Sequence, residues 1–289
     1  MPPDRESTQA TTFQRAVAAS LARRYPLSLA REGDNVGLTV AALREVDRGN
    51  SAAIMLCVDL TEQVLCEALA IHAAFVITYF PMPSHPIRSL STADVTGRIL
   101  LNCAQHNLAV YSVHSACDHA PGGINDWLAK SLAPGRSRPI VPDVNMPDAG
   151  LGRLLECEVS TPLSLLVERL KQLLQLRHVR LAFGAIVDEQ NLARAQEFCF
   201  VKTVAVQVGE AAAVLQNIAA DVMIASEMSH SDIIAANAKG IVVILAGQST
   251  IERGYLGYLS QQLQEEFADS DWNVKVKCSQ IDGNPLAVV

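Results

Sequence analysis

Short apolar runs alternate with longer amphipathic stretches along almost the whole chain, and this rhythm narrows the fold more than any other feature. Residues 52–59 read AAIMLCVD, 74–78 read AFVIT and 108–113 read LAVYSV. Such runs are too short for ordinary helices and suit buried strands. Between the first two, Thr61 opens TEQVLCEALAIHA as an N-cap with acids in the first turn, a helix-start signature. The same reading gives further strands over 153–159, 179–183, 203–206, 222–225, 241–246 and 273–277. It gives helices over 11–24, 91–106, 123–132, 162–174, 211–218, 231–238 and 252–267, with 190–200 ambiguous and helix its first reading. Strands that alternate with helices define βαβ units and an α/β fold with largely parallel or mixed sheets.

With 289 residues, 49% of them hydrophobic and 18% charged, the chain can fill one large core or two smaller ones, without long disorder. Residues 134–150, PGRSRPIVPDVNMPDAG, hold four Pro and two Gly and divide the sequence almost in half. The expected organisation is an N-terminal α/β half over 1–135, a linker over 136–150 and a C-terminal α/β half over 151–289.

The formal net charge is -7 and no long basic cluster occurs, which argues against a nucleic-acid partner. No apolar run has transmembrane length and the start, MPPDRESTQ, is polar, so neither a membrane span nor a signal peptide is expected. The seven Cys are scattered, odd in number and without a C-x-x-C pair. That pattern fits reduced thiols in a cytoplasmic or nuclear setting.

Ligands of open α/β sheets bind beyond the carboxyl ends of strands. Tyr79 and Phe80 follow the strand ending at Thr78. His114, and four residues on Asp118, follow Val113. Glu227 and His230 follow Ala225, while Gln248 and Glu252 follow Ala246; Asp34 and Asn35 occupy the Gly-flanked turn GDNVG. Singly, Asp118 or Glu252 could be a helix cap and His114 a structural histidine. Their shared placement points to one cleft holding Asp34, Asn35, His114, Asp118, Glu227, His230, Gln248 and Glu252, with Tyr79 and Phe80 in its wall. Gly122-Gly123 reads as a turn, because G-x-G-x-x-G spacing is absent. Cys117 reads as a packing thiol, and Tyr255 and Tyr258 as core or interface residues.

Several segments, in order, resemble the Nif-three-like family in its eukaryotic form. These are Gly33 to Leu38 (GDNVGL), Tyr111 to Leu128 (YSVHSACDHAPGGINDWL), Ser226 to Asp232 (SEMSHSD), Gly247 to Leu256 (GQSTIERGYL) and the tail Ser279 to Val289. The resemblance implies a two-domain α/β fold and a hexameric ring built from dimers. It also implies a pair of metal ions held by a His-His pair after the second strand, an Asp, and a C-terminal His and Glu. Carried over residue by residue, Asp118 and Glu252 match. The His-His pair falls on Tyr79 and Phe80, the C-terminal His on Gln248, and the second His of the SEMSHSD segment on Ser231. The glycine-rich turn expected near 207–211 reads Gln-Val-Gly-Glu-Ala.

Imidazole is the nitrogen donor that suits transition metals; phenylalanine has no lone pair, and two carboxylates with a Gln amide form a hard-oxygen set. No stoichiometric dinuclear site is therefore expected, and any divalent metal at Asp118, Glu252 and Gln248 is expected to bind weakly. Two readings follow. The favoured one is an oligomeric scaffold or regulatory protein with a protein partner, consistent with the transcription links the family carries. The alternative is a metal-dependent, GTP cyclohydrolase-like hydrolase with one divalent ion at Asp118 and Glu252. There His114 would be the general base or orient it, and Asn35, Glu227 and His230 would contact the ligand.

Overall fold

Two mixed β-sheets organise the protein. The computed structural model describes residues 12–46, 51–183, 197, 199–209, 214, 218–247 and 249–286. Among these the strands are β1 (Gly37–Val40), β2 (Ala53–Cys57), β3 (Ala73–Thr78), β4 (Ala109–Ser112), β5 (Gly135–Pro142), β6 (Gly150–Pro162), β7 (Arg180–Ala182), β8 (Phe200–Gln207), β9 (Val222–Ala225), β10 (Val242–Leu245) and β11 (Lys275–Cys278). The helices are α1 (Thr12–Arg24), α2 (Glu62–Ala70), α3 (Val95–Gln105), α4 (His114–His119), α5 (Ile124–Leu132), α6 (Leu163–Leu174), α7 (His230–Ala238) and α8 (Thr250–Glu266). Contacts divide the chain into one unit of Met1–Ala116 with Leu256–Val289 and a second of Cys117–Tyr255. The divisions fall inside α4 and α8.

The first unit holds a five-stranded sheet in the order β1-β4-β3-β2-β11. β11, β2, β3 and β4 run parallel, and β1 pairs antiparallel with β4. Central parallel strands are covered on both faces, which is why β2, β3 and β4 are apolar almost without alternation. Met55, Val76 and Val110 come from neighbouring strands and pack with Val64, Leu65 and Ala68 of α2 and with Ile99 and Cys103 of α3. The predicted cap of α2 is present: the Thr61 hydroxyl accepts from Val64 N at 3.2 Å.

The second unit holds six strands in the order β5-β6-β8-β9-β10-β7. β8, β9 and β10 are parallel, while β5, β6 and β7 join antiparallel. Ala205, Met223 and Val243 from the parallel strands pack with Ala236 of α7 and with Ile218.

Three elements differ from the sequence expectation. The expected linker 136–150 is strand over its first half: β5 pairs with β6 from Gly135↔Cys157 to Pro142↔Gly150. β5 is an edge strand, so Pro139 and Pro142 remove N–H groups that central strands would need. β1 is short and only half-buried, so it has no apolar run to announce it. α4 is six residues long and falls below the length at which periodicity shows. The helix expected over 211–218 and most of the stretch 190–200 lie outside the described residues.

The Gly122-Gly123 turn makes opposite demands on its two residues. Gly122 has φ +75° with open space where a Cβ would project, whereas a Cβ on Gly123 would lie 2.0 Å from the Cys117 carbonyl oxygen. Gly122→Ala should cost about 1 kcal/mol from backbone strain. Gly123→Ala should cost about 3 kcal/mol or more, because backbone must move. Urea unfolding of the two variants checks the order, which reverses if the turn is built differently.

Candidate functional site

A polar cluster forms at the carboxyl ends of the parallel strands in the first sheet. Thr78 and Ser112 are register partners of β3 and β4, and their hydroxyls meet at 2.8 Å. Pairing continues past the strand ends, with Val113 N donating to the Thr78 carbonyl at 3.1 Å and His114 N to the Tyr79 carbonyl at 3.0 Å, so Tyr79 and His114 emerge side by side. Because β1 runs antiparallel to β4, with Gly37 opposite Ser112, the preceding turn delivers Asp34 to the same end. Asp34 Oδ2 lies 2.8 Å from His114 Nδ1 and also accepts from the Ser115 hydroxyl and, at 3.3 Å, from Ser115 N.

Burial alone would raise the Asp34 carboxyl, but hydrogen bonds from His114 and Ser115 outweigh it and hold the group at about 2. His114 sits at φ +23°, a conformation rare outside glycine that the Asp34 and Tyr79 bonds hold in place. Its ring packs on Tyr79 and Phe80 with centroids at 5.8 and 5.3 Å, and those two rings meet edge-on at 5.2 Å. Asn35 Nδ2 donates to the Pro83 carbonyl at 2.9 Å and so braces the loop after β3.

The second unit has its own cluster, also at strand carboxyl ends. Gln207 ends β8 opposite Ala225 of β9, and Ser226 follows directly. Asn125 of α5 ties this end to α4: its Nδ2 donates to the Asp118 carbonyl at 2.9 Å, and its Oδ1 accepts from Val208 N at 2.8 Å. A Cβ on Gly209 would stand 3.3 Å from Asp118 Oδ2 and 3.7 Å from Gln207 Nε2, so Asp118 and Gln207 close on one spot. Glu252, in the first turn of α8, and Asp118 are each 3% exposed. Burial pushes the Glu252 carboxyl up to about 7; its own backbone N–H opposes the rise, the Asp118 charge adds to it and the Arg253 charge lowers it. Glu252 Oε2, Ser226 Oγ and Gln207 Oε1 are buried without a hydrogen-bond partner among the described residues.

Of the sequence-selected residues, Asp34, Tyr79, Phe80 and His114 meet in the first unit, and in the second the Asp118 charge acts on Glu252. Glu227 is tied up elsewhere, its carboxylate 2.5 Å from Arg180. His230 is exposed as the first residue of α7. Gln248 lies outside the described residues, as do the last two positions of the expected glycine-rich turn at 207–211. Ser115, Asn125, Gln207 and Ser226 were not singled out. Ser226 directly follows an apolar run, the rule that selected its neighbours; Ser115, Asn125 and Gln207 carry no comparable signal.

Among the described residues, no group of three or more His, Cys, Asp or Glu side chains converges as a metal site. At the positions where the family resemblance implies a His-His pair, the structure has packed Tyr79 and Phe80 rings. Among the described residues of the second cluster, the donors are oxygens: Asp118, Glu252 and the unpaired atoms of Ser226 and Gln207. That set does not fit a dinuclear transition-metal centre.

Fold and site together define an α/β protein of two mixed sheets with buried polar clusters at strand ends. The chain belongs to the Duf34/NIF3 (NGG1p interacting factor 3) family, whose model matches residues 14–285. It is 33% identical over 273 residues to the Protein NIF3 homolog of Schizosaccharomyces pombe, covering 92% of this chain and 94% of that one. It is 28% identical over 283 residues to the NGG1-interacting factor 3 of Saccharomyces cerevisiae, covering 93% and 94%. Its fold matches a Bacillus cereus protein related to NIF3 with TM-score 0.79 at 19% identity, over 96% of this chain and 99% of that one.

Two pH responses of opposite sign follow. The Asp34 carboxyl is lowered, so its stabilisation is present above pH ~4 and is lost as pH falls toward 2. Asp34→Asn should cost about 1 kcal/mol at pH 7, after allowance for solvent screening, and almost nothing near pH 2. The Glu252 carboxyl is raised, so its favourable term is present below pH ~4.5 and is lost as pH rises through about 7. In chelator, Glu252→Gln should gain roughly 3 kcal/mol on the native protein between pH 4 and pH 8. Denaturant titrations across this range test both, and a flat difference for either variant refutes its cluster.

Proposed function

We propose that this chain is an oligomeric NIF3-family scaffold that binds a protein partner, with a degenerate metal centre. The observation that carries this reading is the ring packing of Tyr79 and Phe80 on His114, where the family resemblance implies two imidazoles. Phe80 cannot ligate, and the Nδ1 of His114 is committed to Asp34. The relative from Saccharomyces cerevisiae is named for an interaction with NGG1, which supports a protein partner connected with transcription. All seven cysteines are free thiols, in keeping with a cytoplasmic or nuclear setting. A hexameric ring of dimers is the assembly this reading takes.

The second reading, a hydrolase with one divalent ion at Asp118 and Glu252, draws on the unpaired buried oxygens of Glu252, Ser226 and Gln207. Hard oxygens of that kind suit Mg²⁺ or Ca²⁺ better than zinc. Such an ion would polarise substrate or water; Asp118 and Glu252 would hold it, and Asn125 would fix the backbone of Asp118.

Metal analysis tests the degenerate centre, and one stoichiometric Mg²⁺ or Ca²⁺ per chain would favour the second reading. The purified protein is expected to carry no stoichiometric pair of transition-metal ions, and Phe80→His with Gln248→His should raise affinity for Zn²⁺ or Mn²⁺ by orders of magnitude. Two metals per chain in the native protein would sink the degenerate-centre reading. A double variant no better than native would show that the family geometry does not carry over. Light scattering should return a closed oligomer at micromolar concentration; 31.1 kDa as the sole species contradicts the ring.

A further inference from the structure

A cavity of about 430 Å³ in the second unit lies against β5 and the turn before α5. Its size is that of a small-ligand pocket. The walls carry four basic side chains, Lys130, Arg136, Arg138 and Arg153, against two acidic ones, Asp126 and Asp148. The chain as a whole has the reverse balance, with 23 Lys and Arg against 30 Asp and Glu.

The cations do different jobs. Arg153 is 1% exposed and fully engaged. Its Nη1 donates to the carbonyls of Gly150 and Gly152 at 2.9 and 2.7 Å, and its Nη2 to those of His119 and Ala120 at 3.2 and 3.1 Å. Its Nε faces Asp126 Oδ2 at 3.0 Å. Arg153 therefore pins the turn at 119–122 to the start of β6 and builds a neutral, rigid floor. Asp126 is spent on this floor, accepting also from Gly122 N at 2.9 Å. Arg138 is loosely paired with Glu156 at 3.8 Å, with both side chains about half exposed, an arrangement that contributes little. Lys130 and Arg136 have no ion-pair partner among the described residues. Asp148 is the one remaining carboxylate of the wall.

We propose that this cavity binds the dianionic phosphate group of a small phosphorylated molecule. Lys130 and Arg136 hold the phosphate oxygens, Arg138 turns from Glu156 to join them, and Asp148 sets a repulsive limit on affinity. A planar guanidinium matches two phosphate oxygens, and an ammonium adds a point charge beside them. The preformed floor means that binding orders only rim side chains.

Calorimetric titration of the full chain at low ionic strength tests this, with inorganic phosphate, inorganic pyrophosphate and glycerol 3-phosphate as separate probes. One saturable site per chain is expected. Tighter binding of glycerol 3-phosphate than of inorganic phosphate identifies an organic ester as the occupant, and the reverse order overturns that part of the proposal. Lys130→Ala with Arg136→Ala should weaken binding at least about tenfold. Asp148→Asn should tighten it about two- to fivefold by removing a like charge. Absence of saturable binding to all three probes overturns the proposal, as does a double variant that binds like the native chain. Should the double variant fold poorly, Asp148→Asn decides alone, since unchanged or weaker binding refutes a phosphate at this place.

Discussion

Parallel pairing is the constraint on which the rest of this structure depends. When neighbouring strands run the same way, their carboxyl ends finish at one edge of the sheet, and whatever follows them is gathered there. In the first sheet this brings Tyr79, Phe80 and His114 together after β3 and β4; in the second it sets Gln207 beside Ser226 after β8 and β9. The antiparallel strand β1 uses the complementary rule, because an antiparallel neighbour begins where the parallel strand ends. That is how Asp34, far away in sequence, reaches His114.

The two clusters solve the problem of burying a carboxylate in opposite ways. Asp34 is held ionised by donors on three sides, so it acts as a fixed negative post that orients an imidazole and a hydroxyl. Glu252 has too few donors for its depth and keeps its proton near neutrality. A fully satisfied buried charge rigidifies its surroundings, whereas a carboxyl near its midpoint can gain or lose charge at little cost. The first cluster is thus built as a support, and the second as the place where charge can change.

What could be read in advance follows the physics of burial. β2, β3, β4, β9 and β10 are covered on both faces, so their sequences are nearly unbroken apolar runs and stood out. β5 was hidden because an edge strand tolerates the prolines that made it look like a connection, and β1 because a half-buried strand need not be apolar. The site was legible where a functional side chain directly follows an apolar run, as with His114, and where the family motifs lie, as with Asp118 and Glu252. The pairing of Asp34 with His114 was not legible, since it depends on strand order and direction. Asn125 was missed for a related reason: its role is to bridge two backbone segments, and nothing in its neighbours reveals that.

The boundaries of the contact units have a consequence for how the protein is made. The second unit, Cys117–Tyr255, is inserted into the first, and β11 at the edge of the first sheet comes from residues 275–278. During synthesis the sheet begun earliest is therefore completed last. β2 must wait, with one side unpaired, until the whole inserted unit has left the ribosome. Nascent chains from which residue 255 has emerged but residues 275–278 have not should carry a finished second unit and an open-edged first sheet, the state in which a chaperone or a neighbouring copy would find a strand to pair with.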